Sequence, residues 1–178
     1  MYALKRTGQA IAICAVAGLL ALLVWRVTHQ AHPPRVGKQA PQFALARVDG
    51  GGRLALADLR GRAVLINFWA SDCIPCGKEA GALEAIYRRY RPHGLVVLGV
   101  DTEDFSSDAW RFMQRHHVTY PNVRDGDGTV SARYAVLGTP ETFVLDRRGR
   151  LVGDTILGPV TLDANRSVLE RSLRAALG

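Results

Sequence analysis

Residues 63–80 read AVLINFWASDCIPCGKEA, and this stretch joins a buried strand to a cysteine pair. The run AVLINFW (residues 63–69) is apolar almost throughout, which is typical of a central strand covered on both faces. Cys73 and Cys76 follow it, ahead of a helical repeat of apolar residues. A cysteine at a helix N-terminus lies beside unpaired N–H groups and the positive end of the helix dipole, which stabilise a thiolate. The sequence therefore predicts Cys73 as a nucleophile and Cys76 as its resolving thiol.

Other uses of a Cys-x-x-Cys pair fit this sequence less well. A structural disulfide across so short a loop would restrain almost no chain entropy. A zinc site needs more ligands, and the adjacent His116 and His117 lack the usual ligand spacing. A haem attachment site requires a histidine after the second cysteine, where Gly77 stands. We therefore predict redox chemistry and no metal site.

The flanking sequence predicts an α/β domain. A second apolar run, LVVLGV (residues 95–100), follows the helix that Pro92 and Gly94 end, so the two strands and the helix form a parallel βαβ unit. Alternating residues around the glycines at 50–52 predict an N-terminal β-hairpin. The other predicted elements are a helical insertion over 108–117, an extended segment over 118–123, a hairpin of 141–145 with 150–156, and a closing helix over 162–176 that Thr161 caps.

An apolar segment precedes this domain. The uncharged stretch 7–25 would span about 28 Å as a helix, close to the hydrocarbon thickness of a bilayer. A cleaved signal peptide is the alternative, but the small residues Ala15 and Ala17 lie inside the apolar run and the residues after it suit cleavage poorly. We predict a cytoplasmic n-region (1–9), a single transmembrane anchor (10–25), a tether (26–35) and the catalytic domain (36–178).

The composition sets limits on partners. The 178 residues carry 23 Lys and Arg against 16 Asp and Glu, which gives a net charge of +7. Three of the basic residues lie in the first 32 residues. The clusters at 88–91 and 147–150 are interpreted as a solvated helix end and a turn, so we predict no nucleic-acid binding. Of the three cysteines, Cys14 lies in the apolar segment, which leaves one reactive pair in the domain.

Two motifs together carry a family resemblance. The two motifs are NFWASDCIPCGKE (residues 67–79) and GTPETFVLD (residues 138–146). Together they resemble the TlpA/ResA-like branch of the thioredoxin superfamily, which includes membrane-tethered thioredoxins of cytochrome c maturation. The resemblance covers about residue 36 to the C-terminus. It implies a thioredoxin-like α/β fold with an N-terminal hairpin and a helical insertion, a redox-active Cys73–Cys76 disulfide, and no further cofactor.

The resemblance also assigns roles to residues around the pair. Pro140 matches the family's cis-proline, and the alternative for Pro140 is an ordinary turn proline. The resemblance assigns Pro140, Thr139 and Trp69 to substrate binding. Glu79 matches an acidic residue of the maturation-type members, and three positions after Cys76 on one helix it can take a proton from that thiol. A solvated glutamate near the helix N-terminus is the alternative for Glu79.

The function implied is that of a membrane-anchored, extracytoplasmic protein-disulfide oxidoreductase acting as a reductant. Its substrate would be the oxidised Cys-x-x-Cys-His of an apocytochrome c, and its electrons would come from a membrane thiol donor of the cytochrome c biogenesis type. A general disulfide reductase and a tethered Cu(I) chaperone are the alternatives, the second with two soft thiolate ligands. Antioxidant activity is expected of such a reductase, but a peroxiredoxin is not, because Ala70 stands where a peroxiredoxin has threonine.

Asp72 and Pro75 are predicted to tune the couple, and Asp72 gives a test. A carboxylate beside Cys73 disfavours the thiolate, which makes the couple more reducing. We expect Asp72→Asn to raise the reduction potential, with about 30 mV for a tenfold change in equilibrium. Titration against glutathione measures the shift, and an unchanged or lower potential would show that this carboxylate does not act on Cys73.

Overall fold

The computed structural model of the chain describes residues 14–25, 33–102, 104 and 106–178. Residues 14–25 are helical, and they belong to a unit separate from the compact unit Pro33–Gly178. Among the residues described, no helix has the length and apolar character needed to cross a membrane. The predicted n-region, the first residues of the predicted anchor and most of the tether lie outside the described residues.

The compact unit is built on one seven-stranded mixed sheet. Its strands are β1 (Ala44–Arg47), β2 (Arg53–Ala55), β3 (Ala63–Trp69), β4 (Leu95–Thr102), β5 (Asn122–Asp125), β6 (Glu141–Leu145) and β7 (Ile156–Leu157). They lie in the order β2-β1-β5-β4-β3-β6-β7, with β3, β4 and β5 parallel. The predicted N-terminal hairpin and parallel βαβ unit are confirmed.

Four helices accompany the sheet: α1 (Ile74–Tyr90), α2 (Ser106–Arg115), α3 (Thr129–Tyr134) and α4 (Asp163–Leu177). The alternation of side chains along β3 divides the core in two. Ala63, Leu65 and Trp69 pack in one cluster with residues of α1, α2 and α4. Val64, Ile66 and Phe68 pack in a second cluster that includes the 3-10 turn Leu56–Leu59 and α3.

The secondary structure corrects the sequence prediction in three places. The helix α3 was not predicted, and the carboxylate of Asp125 holds its start by accepting the N–H groups of Val130 and Ser131. Leu162, rather than Thr161, is the N-cap residue of α4, and within the described residues no side-chain cap hydrogen bond is formed there. The last strand is shorter than predicted, because Gly153 adopts a φ of 70°, which interrupts the extended backbone before β7.

A glycine in β4 leaves room for a buried polar pair between the strands on either side of it, β3 and β5. Trp69 Nε1 donates to Asn122 Oδ1 at 2.9 Å, and this pair occupies the space above Gly99. A Cβ on Gly99 would lie 1.7 Å from Asn122 Oδ1 and 2.8 Å from Trp69 Nε1. The absence of a side chain at this position is therefore a packing requirement.

We expect Gly99→Ala to lower the free energy of unfolding by about 1–3 kcal/mol, because the added methyl group displaces a buried hydrogen-bonded pair. Gly81→Ala on the exposed face of α1 is the matched control, since nothing lies within 4 Å of its Cβ. That control should be neutral or stabilising by up to about 1 kcal/mol through helix propensity. Denaturant unfolding measures both, and equal effects of the two variants would refute the packing argument.

Candidate active site

The cysteine pair lies at the start of α1. Cys73 is the N-cap residue, and Cys73 and Cys76 form a disulfide across the first turn. Cys73 Sγ accepts the N–H of Cys76 at 3.2 Å. Cys73 is half-buried and Cys76 is 2% exposed, so an incoming sulfur atom can reach only the first of the two. Pro75 lies in the first turn, where a missing N–H costs no helical hydrogen bond.

Glu79 lies one turn further along α1 and is fully buried. Its Oε1 accepts Asn67 Nδ2 at 2.9 Å, and its Oε2 accepts the N–H of Val160 at 2.7 Å. Burial raises the pKa of Glu79 to about 7, and the hydrogen bonds from Val160 and Asn67 oppose that rise. The carboxyl group therefore changes protonation state near neutral pH, as a group that exchanges protons with a thiol requires.

Asn67 ties this carboxylate to the sheet. Its Nδ2 also donates to Thr142 Oγ1 at 3.0 Å, so one amide group joins β3, β6 and α1. Asn67 is 1% exposed and Thr142 is fully buried. The buried amide of Asn67, together with the N–H of Val160, therefore fixes the position of Glu79 one turn below the cysteine pair.

The predicted substrate-binding loop lies at the same end of the sheet. The Thr139–Pro140 peptide bond is cis. Phe68 pairs with Glu141 in the β3–β6 ladder, so Pro140 comes next to the end of β3, just before the cysteine turn. The Pro140 carbonyl accepts the N–H of Gly158 at 2.9 Å. A pocket of about 270 Å³ beside this loop is lined by residues 137–141, Leu157 and Gly158.

Sequence reasoning missed a buried acid that holds this loop. Glu141 is 3% exposed, and its Oε2 accepts the N–H of Leu137 at 2.9 Å. Burial raises the pKa of Glu141, and the N–H groups of Leu137 and Gly138 oppose the rise. The signal was present as the acidic residue directly after Pro140 in GTPETF. Glu141 thus stabilises, through this hydrogen bond, the turn that precedes the cis Thr139–Pro140 bond.

A second missed acid lies at the end of β4. Asp101 is fully buried, and within the described residues neither carboxylate oxygen has a hydrogen-bond partner. Burial, followed by the neighbouring Asp104, raises the pKa of Asp101 to about 9. Asp101 pairs with Trp69 in the β3–β4 ladder, four residues before Cys73. No sequence pattern marks it, because it follows an apolar run as any polar strand end would.

The assignment of Trp69 to the substrate-binding surface is wrong. Trp69 is 2% exposed, and its ring stacks on Phe112 of α2 with centroids 4.4 Å apart. The indole therefore supports the cysteine turn from within the core. The apolar group beside the pair is instead Ile74, which is 72% exposed, and Asp72 is exposed on the other side of Cys73.

Among the residues described, the adjacent histidines His116 and His117 do not belong to a group of metal-ligating side chains. His116 is half-buried and contacts the Phe112 ring. A Cβ added at Gly77 would lie 3.0 Å from Cε1 of His116. Burial lowers the pKa of His116, and Arg115 and His117 lower it further. In the part of the chain that the structure describes, no three His, Cys, Asp or Glu side chains are grouped so that they can hold a metal ion.

The sequence model of the AhpC/TSA family matches residues 36–153. The chain belongs to the AhpC/TSA family. Thiol:disulfide interchange protein DsbE of Pseudomonas fluorescens biotype C is 34% identical over 126 residues, which are 70% of this chain and 68% of that protein. Thiol-disulfide oxidoreductase ResA of Geobacillus thermodenitrificans is 33% identical over 135 residues, 76% of each chain.

A solved structure gives the same relationship. A Chlorobium tepidum protein, provisionally described as thiol:disulfide interchange protein DsbE, superposes with a TM-score of 0.75 at 30% identity, covering 82% of this chain and 99% of that one. The predicted thioredoxin-like fold is therefore confirmed. Within the AhpC/TSA family, the chain is a thiol-disulfide oxidoreductase of the ResA/DsbE type.

The raised pKa of Glu79 predicts how stability depends on pH. The folded state binds a proton more tightly than the unfolded state, in which the pKa is near 4.5, so this contribution to stability is complete below pH 4.5 and is lost as the pH rises through about 7. We expect the unfolding free energy of the native protein, relative to Glu79→Gln, to fall by about 3 kcal/mol between pH 4 and pH 8.

Denaturant unfolding of the oxidised protein at a series of pH values measures this difference. Both proteins retain Asp101 and Glu141, so the contributions of those acids cancel. Glu170→Gln, at an exposed position of α4, controls for the loss of a carboxylate. A difference between the native protein and Glu79→Gln that stays constant with pH would contradict the assignment of a neutral-range pKa to Glu79.

Proposed function

We propose that the chain is a membrane-anchored, extracytoplasmic protein-disulfide reductase whose substrate is the oxidised Cys-x-x-Cys-His of apocytochrome c. The observation that carries the reductase chemistry is the arrangement along α1. An accessible sulfur at Cys73 is followed by a buried sulfur at Cys76 and a buried, hydrogen-bonded carboxyl group at Glu79 with a pKa of about 7.

The first step is attack on the substrate. With the pair reduced, the thiolate of Cys73 attacks one sulfur of the substrate disulfide and forms a mixed disulfide. The other substrate sulfur leaves as a thiolate and takes a proton from solvent. The helix N-terminus and the N–H of Cys76, which reaches Cys73 Sγ, favour the thiolate over the thiol at Cys73.

The second step resolves the mixed disulfide. Glu79, in its ionised form, accepts the proton of the Cys76 thiol, and the Cys76 thiolate then attacks Cys73 Sγ. The Cys73–Cys76 disulfide forms, and the second substrate sulfur leaves as a thiolate. Two electrons have passed to the substrate, and an external dithiol donor must return two electrons to the pair. A membrane thiol donor of the cytochrome c biogenesis type fits that need.

The loop at Pro140 supports the binding of an extended substrate segment. Within the part of the chain that the structure describes, the backbone of Thr139 forms no hydrogen bond with other residues, and this loop lies beside the end of β3. An extended peptide can therefore pair with Thr139 while its cysteine lies next to Cys73. The exposed Ile74 and Leu137 offer apolar contacts on either side.

The cellular setting is argued from the N-terminal segment and the family resemblance. The uncharged stretch 7–25 has the length of a bilayer span, and residues 14–25 are helical. Membrane-tethered relatives in the TlpA/ResA-like branch serve cytochrome c maturation, in which the haem-binding cysteines must be reduced before haem attachment. A general disulfide reductase at the same location, or a Cu(I) chaperone using both thiolates, is the competing function.

A trapping experiment in the full chain tests the proposal. In Cys76→Ala the resolving thiol is absent, so a mixed disulfide between Cys73 and its substrate should accumulate, and mass spectrometry of the captured protein identifies it. Cys73→Ala is the matched control, because the buried Cys76 cannot be reached by a protein substrate. We expect capture by the first variant and none by the second.

The captured protein decides between the functions. An apocytochrome c joined to Cys73 through its haem-binding cysteines supports the proposal. Capture of unrelated disulfide proteins, with no cytochrome among them, identifies a general reductase instead. No captured partner, together with one copper ion bound per purified reduced protein, replaces the reductase with the copper chaperone.

A further inference from the structure

The end of the domain opposite the cysteine pair carries a concentrated positive charge. Three chain segments meet there: Leu151 N donates to Lys38 O at 3.0 Å, Ala40 N donates to Gly149 O at 3.0 Å, and Gly61 N donates to Arg147 O at 2.9 Å. We call their seven exposed basic residues the basic pole: Arg35, Lys38, Arg60, Arg62, Arg147, Arg148 and Arg150.

The basic pole is almost free of compensating charge. The acidic residues beside these segments in the sequence are Asp58 and Asp146, and their carboxylates accept backbone N–H groups, from Ala55 and from Arg148 and Arg150. No residue of the basic pole is in an ion pair within the described residues. Outside the basic pole and these two acids, residues 33–178 hold thirteen basic and fourteen acidic side chains, so the excess positive charge of the domain lies at this end.

Two of the guanidinium groups, those of Arg147 and Arg60, donate to backbone carbonyls. Arg147 donates to the carbonyls of Gly61 and His93, at 3.4 and 3.1 Å, and Arg60 donates to the carbonyl of Arg148. These bonds use carbonyl acceptors and leave each positive charge uncompensated. A surface of this kind attracts a dense layer of anions rather than one carboxylate.

Three facts relate the basic pole to a membrane surface. It lies where the chain enters the domain, because Arg35 follows Pro33, the first residue of the compact unit. Only nine residues separate Trp25, the end of the apolar run, from Arg35, so an extended chain cannot separate them by more than about 36 Å. β3 runs from the basic pole towards the cysteine turn over seven residues, about 20 Å.

We propose that the basic pole binds the anionic phospholipid headgroups of the membrane in which residues 10–25 are anchored, so that the Cys73–Cys76 end of the domain is directed away from the bilayer. This inference rests on the anchoring that the proposed function includes. Lys and Arg residues held near an anionic bilayer surface each add to the attraction, and the attraction is screened by salt. Residues 147–150 form a turn with exposed arginines, as the sequence predicts, and this inference adds a ligand for their charges.

Arginine footprinting of the full chain tests the inference. The protein is reconstituted into nanodiscs of phosphatidylcholine alone, or of phosphatidylcholine with phosphatidylglycerol, and treated with phenylglyoxal before mass spectrometry. We expect modification of Arg60, Arg147 and Arg150 to be about tenfold slower in the anionic discs, and the protection to vanish in about 1 M salt, where the Debye length is about 3 Å. Arg166 and Arg171 on α4 should react alike in both discs.

A charge-matched pair of variants locates the effect. The first variant replaces four residues together by Gln: Lys38, Arg62, Arg148 and Arg150. The side chains of these residues make no hydrogen bond in the described structure. Arg60 and Arg147 are kept as the reporters of protection. The control replaces Arg89, Arg166, Arg171 and Arg174 by Gln and has the same net charge. We expect protection of the two reporters to be lost in the first variant and kept in the control.

The outcomes separate this inference from the anchoring and from the reductase activity. Equal protection in neutral and anionic discs, no protection in either, or equal loss in both variants overturns the role of the basic pole. If the chain does not remain associated with neutral discs, the anchoring is overturned. Protection of the arginines in anionic discs would in that case still support the role of the basic pole. Reduction of a protein disulfide by the same samples reports on the reductase independently.

Discussion

The buried carboxyl group of Glu79 is the point on which the arrangement of the site depends. Asn67 and the N–H of Val160 hold its two oxygens, so one residue of α1 is bonded to β3 and to the loop that follows β7. Hydrogen bonds of this kind lower the cost of burying a carboxyl group, and the pKa of Glu79 rises because burial disfavours the charged form. The bonds that make this burial tolerable therefore also fix Glu79 one turn below the disulfide.

The remaining parts of the site are placed by the sheet. β3 delivers the cysteine turn, and β6 delivers Pro140 to the same end through the pairing of Phe68 with Glu141. The stacking of Trp69 on Phe112 supports the turn from the interior. Cys73 is the accessible sulfur because it precedes the helix. Cys76 is the third residue of α1 and packs in the core. Along α1, the accessible sulfur of Cys73 is thus followed by the buried sulfur of Cys76 and then by the proton-accepting carboxyl group of Glu79.

The sequence reveals those elements whose signal is local. β3 was predicted at its observed bounds because a seven-residue apolar run has no competing interpretation, and the N-cap position of Cys73 follows from the helix that begins after it. The environment of Trp69 could not be predicted, because every residue of β3 is buried and alternation then gives no sign of which face each covers. It is set by Phe112, forty-three residues away in the inserted helix. Glu141 was missed because its partner is a backbone N–H in a turn, which leaves no pattern in the side chains.

The central claim is that Glu79 titrates near neutral pH and can therefore accept the proton of Cys76. The most direct measurement is a titration of the Glu79 side-chain carboxyl carbon by NMR in the oxidised protein, assigned by its loss in Glu79→Gln. The structure predicts a midpoint of about pH 7. A midpoint near 4.5, the ordinary value for a glutamate, would contradict the account, because the carboxyl group would then be too weak a base to accept a proton from the resolving thiol.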